Sequence, residues 1–231
     1  MRVVVLQPSY LPYAGVFALI DLADVFVFYD DVQFVKQSWQ QRNRIKTDNG
    51  QLWLTVPVQH NLGQRICDTR IAENSNWSGK HYKSLLQNYG STEQWPAYED
   101  TIKNIYDITW NYLSDLNIYA IKMLTMALEI KEPRYLYSSR MSLTGQATER
   151  LIMLLKEVGA TEYISGMAGR RYIEPARFRE AGIKLTWFRY EYSPYPQIKG
   201  GDFLPYMSII DLMCNVPHPV EYIRGGVRFE D

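Results

Sequence analysis

The sequence is poor in the residues that announce a metal centre, a disulfide frame or a thiol nucleophile. It holds two cysteines, Cys67 and Cys214, and three histidines, His60, His81 and His218. Thiols so few and so far apart read as ordinary reduced cysteines, which excludes a disulfide scaffold and points to a cytoplasmic protein. Cys67 has no recognisable histidine partner in sequence. The histidines show no metal-ligand spacing, so structural or solvent-facing roles are expected and no metal site is assigned. Net charge is missing too: 25 Lys and Arg stand against 25 Asp and Glu. That balance gives no general pull towards nucleic acid or membrane, although a local basic cluster is compatible with it. No stretch approaches the ~20 apolar residues that span a bilayer. The opening MRVVVLQP reads as a strand ended by Pro8 rather than as a signal peptide. There is no nucleophile elbow, HExxH, EF-hand loop or zinc-finger spacing, and no cofactor is identified.

What is present is length, alternation and aromatic rings. The 231 residues suffice for one large domain with a substantial core. Eighteen Tyr and six Trp give a 14% aromatic share. Tyrosine offers a flat face and a polar tip, which suits stacking against sugars or bases and equally suits a half-buried core. Core and rim packing accounts for most of these rings.

The chain is organised around residues 2–46. Val3–Leu6 and Val25–Phe28 are short apolar runs separated by the proline-punctuated loop Gln7–Pro12 and a helical pattern over Gly15–Leu22. This is a βαβ unit, and ligands in such sheets bind beyond the carboxyl ends of the strands. Next, Asn49–Gly50 predicts a hairpin between Ile45–Thr47 and Leu52–Val58, with Pro57 marking an edge or an end. Arg65–Ile71 reads as one more short strand. Residues 76–130 read as three helices, over Trp77–Tyr89, Gln94–Tyr106 and Trp110–Leu128, forming a helical insertion or lid within a single domain spanning 1–231. Alternation then returns: Arg134–Tyr137 strand, Thr144–Val158 helix, Glu162–Ile164 strand, Pro175–Ala181 helix, Ile183–Tyr190 strand, and a final helix over Tyr206–Cys214. The βαβαβ order implies three parallel strands with right-handed crossovers. The expected fold class is α/β: a Rossmann-like, doubly wound, mostly parallel sheet with a helical insertion and a β-hairpin.

Four clusters could carry chemistry. Gln7, Ser9 and Tyr10 sit in a loop stiffened by two prolines, which either fixes polar groups for a ligand or only turns the chain. Asp30 and Asp31 follow Tyr29 at a strand end, where adjacent carboxylates can bind a metal or serve as a general base. Neighbours in an extended chain face opposite ways, so at most one should reach a given pocket. Arg42, Arg44 and Lys46 share a face if the segment is extended and could clamp phosphate or carboxylate, with Trp39 and Asn43 adding stacking and hydrogen bonds. The alternative is a solvated hairpin arm. Ser165, Gly166, Gly169 and Arg170 lie where a strand runs into a glycine loop, a place where backbone N–H groups can meet an anion or where a tight turn needs glycine. The aromatic strings near Tyr190–Tyr195 and at Trp53 could line a groove.

These residues resemble the WbqC-like family. The resemblance is carried by QPSYLPYAGVF at Gln7–Phe17, ADVFVFYDDVQFVKQSWQQRNRIK at Ala23–Lys46, LTVPV at Leu54–Val58, YISGMAGRRYI at Tyr163–Ile173, REAGIKLTWFRYEYSPYPQ at Arg179–Gln197 and FLPYMSIIDLMCN at Phe203–Asn215. Members of that family occur among bacterial surface-polysaccharide (O-antigen) biosynthesis genes, so the resemblance implies a pathway more than a reaction. The first strand, loop and helix are also similar to HIGH-type nucleotidylyltransferases. The matching loop here has Gln7, Tyr10 and Ala14–Gly15 but no histidine, so the similarity extends to the fold and not to adenylyl transfer.

Together these readings predict a transferase of surface-glycan biosynthesis acting on an activated, nucleotide-linked sugar or its amino group. Arg42, Arg44 and Arg170 hold an anion, Asp30 or Asp31 is the base, and Gln7 and Tyr10 orient the acceptor. The alternative is a non-catalytic module that binds a nucleotide-sugar or a partner enzyme. The expected partner is an anionic small molecule or nucleotide-sugar, with no nucleic acid and no membrane insertion; a homo-oligomer is left open.

Overall fold

The computed structural model describes residues 1–73 and 75–230. The first βαβ unit is β1 (Arg2–Leu6), α1 (Ala14–Leu22) and β2 (Val25–Phe28). A hairpin follows, β3 (Arg42–Thr47) and β4 (Gly50–Thr55), then a two-residue pair, β5 (Val58–Gln59) and β6 (Arg70–Ile71). Three helices come next: α2 (Trp77–Tyr89), α3 (Trp95–Asp107) and α4 (Leu113–Ala127). The alternating portion is β7 (Arg134–Tyr137), α5 (Ala147–Glu157), β8 (Glu162–Gly166), α6 (Pro175–Glu180) and β9 (Lys184–Tyr190). The chain closes with α7 (Ile209–Asn215), α8 (Pro219–Gly225) and β10 (Val227–Glu230).

This is a mixed α/β fold with a mostly parallel central sheet. Among the described residues, the six-stranded sheet runs β7-β2-β1-β8-β9-β10. Its first five strands pair in parallel and β10 pairs antiparallel with β9. The chain moves outward from β1 through β2 to β7, then crosses back over β1 to β8. The strand order therefore reverses between β1 and β8.

Period-two alternation divides the core in two. Val4, Phe26, Phe28, Ile164 and Phe188 face one layer, which they share with α1, α7 and the helices of residues 76–130. Val3, Val25, Val27, Tyr163 and Trp187 face the other, packed on Leu151, Leu154 and Leu155 of α5 and Phe178 of α6. Both faces of β2 are buried, which is why its sequence VFVF reads as continuously apolar.

Several element boundaries differ from the sequence expectation. The second hairpin strand stops at Thr55, and Val58 joins β5 instead, because Pro57 interrupts the ladder. Only Arg70–Ile71 of the expected Arg65–Ile71 strand is extended; Ile66–Asp68 is a 3-10 turn. The last predicted helix begins at Ile209 rather than Tyr206, with the Ser208 hydroxyl accepting the Ile210 N–H at its N-cap. Helix α8 and strand β10 were not anticipated.

Candidate functional site

Where the strand order reverses, the sheet opens into a cavity of about 790 Å³. Its floor is the carboxyl end of β1, through Val5, Leu6 and Gln7, with Tyr29 just past β2 and Tyr163 on β8. Helices α1 and α5 begin at its wall, with Tyr13 and Val16 on one side and Ala147 and Leu151 on the other. The segment before the hairpin supplies Val35, Ser38, Trp39 and Gln40, and β3 supplies Asn43 and Arg44. Tyr172, Ala168 and Tyr206 complete the lining. The residues lining this cavity include no Asp, Glu, His, Lys or Cys. Ala147 and Tyr206 both take positive φ, 45° and 59°. Non-glycine residues seldom adopt that conformation, and such strain concentrates at functional sites.

The loop after β1 is pinned from two directions. Asn43 Nδ2 donates to the carbonyls of Tyr10 (3.2 Å) and Leu11 (2.7 Å), and the Tyr10 N–H donates to the Trp39 carbonyl. Asn117, fully buried on α4, donates from Nδ2 to the carbonyls of Pro8 (3.3 Å) and Gln40 (2.7 Å). Gln40 Nε2 donates to Gln7 Oε1 at 2.8 Å, while Gln40 Oε1 accepts the Val35 N–H. The Gln7 side chain is thus held at the cavity floor.

Arg44 is the cation of the cavity lining. Its guanidinium carbon lies 5.4 Å from the Trp39 ring and 5.5 Å from the Trp53 ring. Nη1 donates to Gln51 Oε1 at 2.8 Å and Nη2 to the Tyr206 carbonyl at 3.3 Å, while the buried Nε has no partner among the described residues. Among the described residues no carboxylate pairs with it. Desolvation pulls its pKa below the usual arginine value, the response of a cation without a counter-ion.

The other predicted residues are dispersed. Tyr10 lies outside the cavity: it is fully buried, with its hydroxyl against His81 Nδ1 (2.8 Å) and the Tyr106 hydroxyl (2.7 Å). Neither Asp30 nor Asp31 lines the cavity. Asp30 is buried and accepts from the Ser139 N–H (2.9 Å) and Ser139 Oγ (2.7 Å), closing the turn after β7. Asp31 accepts from Arg150 Nη2 and from Ser138 Oγ, each at 2.5 Å. The three-cation clamp is not assembled around one point. Arg42 lies 4.3 Å above the Trp53 ring, and Lys46 is buried with Nζ donating to the Asp202 carbonyl. Asn43 serves the loop. Ser165 and Gly169 are buried against each other: a Cβ on Gly169 would lie 2.4 Å from Ser165 Oγ. Gly166 has open space where a Cβ would stand, and Arg170 pairs with Glu230 at 3.4 Å and sits over Trp187. Trp39 is exposed at the rim, its ring 5.5 Å from Trp53.

Sequence reasoning missed Gln40, Arg150, Tyr163, Tyr172 and Tyr206. Sequence reads Tyr206 as the first residue of the final helix, whereas it lies in the loop before α7. Arg150 sits on the polar side of α5, and nothing local distinguishes it from a solvated helix arginine.

Comparison with known proteins bears on this arrangement. The family model described as "WbqC-like protein family" matches residues 7–220, a span that includes the loop, the cavity rim and Tyr206. A relative from Mycobacterium tuberculosis (strain ATCC 25618 / H37Rv), the uncharacterized protein Rv1507c, is 38% identical over 228 residues, covering 96% of this chain and 97% of its own length. No solved structure matches the chain significantly. The chain belongs to the WbqC-like protein family.

Proposed function

We propose that the cavity binds an anionic, ring-bearing ligand of surface-glycan biosynthesis, a nucleotide-linked sugar, and that the protein transfers a group to or from that sugar or its amino group. Arg44 carries this reading: a guanidinium without a carboxylate partner among the described residues, set among aromatic rings in the lining of a cavity. Trp39, Tyr13 and Tyr206 supply faces for a base or pyranose. The uncapped first turns of α1 and α5 add partial positive charge at the same wall. We read the sheet as Rossmann-like and doubly wound, a reading that the reversal of strand order between β1 and β8 supports, and such a reversal is where these sheets bind ligands. We take the chain as one domain, with residues 76–130 inserted into it.

Calorimetric titration with a panel of uridine, thymidine, guanosine and cytidine diphosphate sugars tests the site. Arg44→Gln should weaken binding by about ten-fold or more, the worth of a charge-assisted contact. Arg42→Gln should weaken it less, since Arg42 lies outside the lining. Equal binding by wild type and Arg44→Gln removes the site.

A second reading, a non-catalytic nucleotide-sugar- or partner-binding module, draws on the absence of a carboxylate, imidazole, amine or thiol from the lining. Phosphorus NMR and mass spectrometry of the sugar nucleotide separate the two. With candidate acceptors and group donors present, turnover seen as free nucleotide (transfer of the sugar) or as a changed mass of the intact sugar nucleotide (transfer to or from its amino group) supports the transferase, and stoichiometric binding without either supports the module.

A further inference from the structure

We propose that Tyr29, held by Arg150, is the hydrogen-bond donor that meets an acceptor oxygen of the bound ligand, a carbonyl or phosphoryl oxygen. This rests on the reading that the cavity holds such a ligand. Tyr29 lines the cavity just past the end of β2. Arg150 Nη1 donates to its hydroxyl at 3.0 Å, and the guanidinium carbon lies 5.2 Å from the ring centroid.

The direction of that hydrogen bond decides the role of the phenol. Guanidinium only donates, so the Tyr29 oxygen must accept, and its own proton is left for another partner. Among the described residues no acceptor takes that proton. A phenol whose oxygen is already bound to a cation is a stronger donor than a free one, because the lone pair is drawn towards the charge. Burial, the largest influence on Tyr29, raises its pKa above the usual value and keeps it a neutral donor.

Asp31 has a place in this arrangement other than that of a base. Arg150 Nη2 donates to Asp31 Oδ2, and Ser138 Oγ donates to Asp31 Oδ1. The pair is well shielded, with side-chain exposures of 15% for Arg150 and 10% for Asp31. Asp31 fixes the guanidinium, and the guanidinium fixes the phenol. Arg150 and Asp31 are positioning residues and Tyr29 is the contact. The line runs from the turn after β7, through the first turn of α5, to the cavity floor. A cavity whose lining holds no carboxylate, imidazole, amine or thiol thereby gains a phenol polarised by a cation, complementary to the anion site at Arg44.

Two measurements test this. In the calorimetric panel, Tyr29→Phe should weaken the binding of whichever diphosphate sugar binds wild type by about ten-fold, and Arg150→Gln should do likewise. The double variant should bind no more weakly than either single one, because both changes remove the same donor. Arg150→Lys should recover part of the loss. Wild-type binding by Tyr29→Phe, or fully additive losses, overturns the assignment. If Arg44→Gln weakens binding while Tyr29→Phe does not, the cavity reading stands and only the Tyr29 role fails. The second measurement needs no ligand: the Cζ carbon resonance of Tyr29 in protein labelled with 13C-tyrosine. It should move in Arg150→Gln and in Asp31→Asn. If no panel member binds wild type, the cavity reading fails and the ligand role of Tyr29 falls with it, so the resonance is read only beside a binding panel member. A shift supports the held donor, and an unmoved resonance overturns it.

Discussion

At the scale of single residues, the buried Asp211 shows how far local sequence falls short. Its carboxylate is fully buried and accepts from the hydroxyls of Tyr89 and Tyr195 and from Gln197 Nε2, each at 2.7 Å. Those donors come from α2 and from the aromatic loop before α7. Asp211→Ala leaves them without an acceptor in a dry interior and should cost on the order of 3 kcal/mol, read as a lower urea midpoint. The same limitation governed Asp30 and Asp31. Their type and position at a strand end were legible, but the hydroxyls that engage them, Ser138 and Ser139, lie more than 100 residues downstream. Tyr10 failed for the same reason. A tyrosine in a proline-bounded loop reads as a site residue until His81 and Tyr106 are seen to enclose its hydroxyl. Arg44 could be read because alternation in a hairpin fixes its face, although sequence could not separate it from Arg42 and Lys46.

At the scale of elements, periodicity and turn chemistry did most of the work. Asn49–Gly50 placed the hairpin because Gly50 takes φ of 91°, which side chains resist. The strands β1, β2, β8 and β9 were legible as short apolar runs in alternation with helices. Strand β10 was not: it is an antiparallel edge whose VRFE sequence carries two charged residues in four and gives little apolar signal. The glycine loop after β8 offers a test of its two readings. A Cβ on Gly169 would meet Ser165 Oγ at 2.4 Å and Ile173 Cδ1 at 2.8 Å, whereas one on Gly166 would meet nothing. Gly169→Ala should therefore lower stability by about 1–3 kcal/mol through overpacking, measured by thermal melting. Gly166→Ala should melt close to wild type. A loss of ligand binding in the stable Gly166→Ala variant would indicate that a ligand approaches the backbone there.

At the scale of the whole molecule, the alternation of elements made a mostly parallel sheet legible but left the order of its strands open. The cavity followed from the point where that order reverses. Buried polar groups also set how the whole fold responds to acid. Desolvation lowers the His81 pKa from 6.5 to about 4. Between those values the unfolded chain binds a proton that the folded one refuses, so stability rises with pH across this window. The contribution is fully present above pH 6.5 and is lost as pH falls towards 4, amounting to about 3 kcal/mol. Urea midpoints measured from pH 7 to pH 4 should fall accordingly. In His81→Gln the part of that slope due to His81 should vanish. No helix among the described residues is long and apolar enough to cross a membrane.

Asn117 sets a limit on how the protein can be trimmed. One amide on α4 bridges the loop after β1 and the strip of chain leading into the hairpin. The segment 76–130, which a designer would delete first in search of a minimal binder, holds this clasp. Excision would leave the Pro8 and Gln40 carbonyls facing an emptied core, and the two strips that frame the mouth would drift apart. Pruning therefore has to begin elsewhere, and a shortened scaffold that keeps the sheet but drops α4 should retain its strands while losing the shape of its opening.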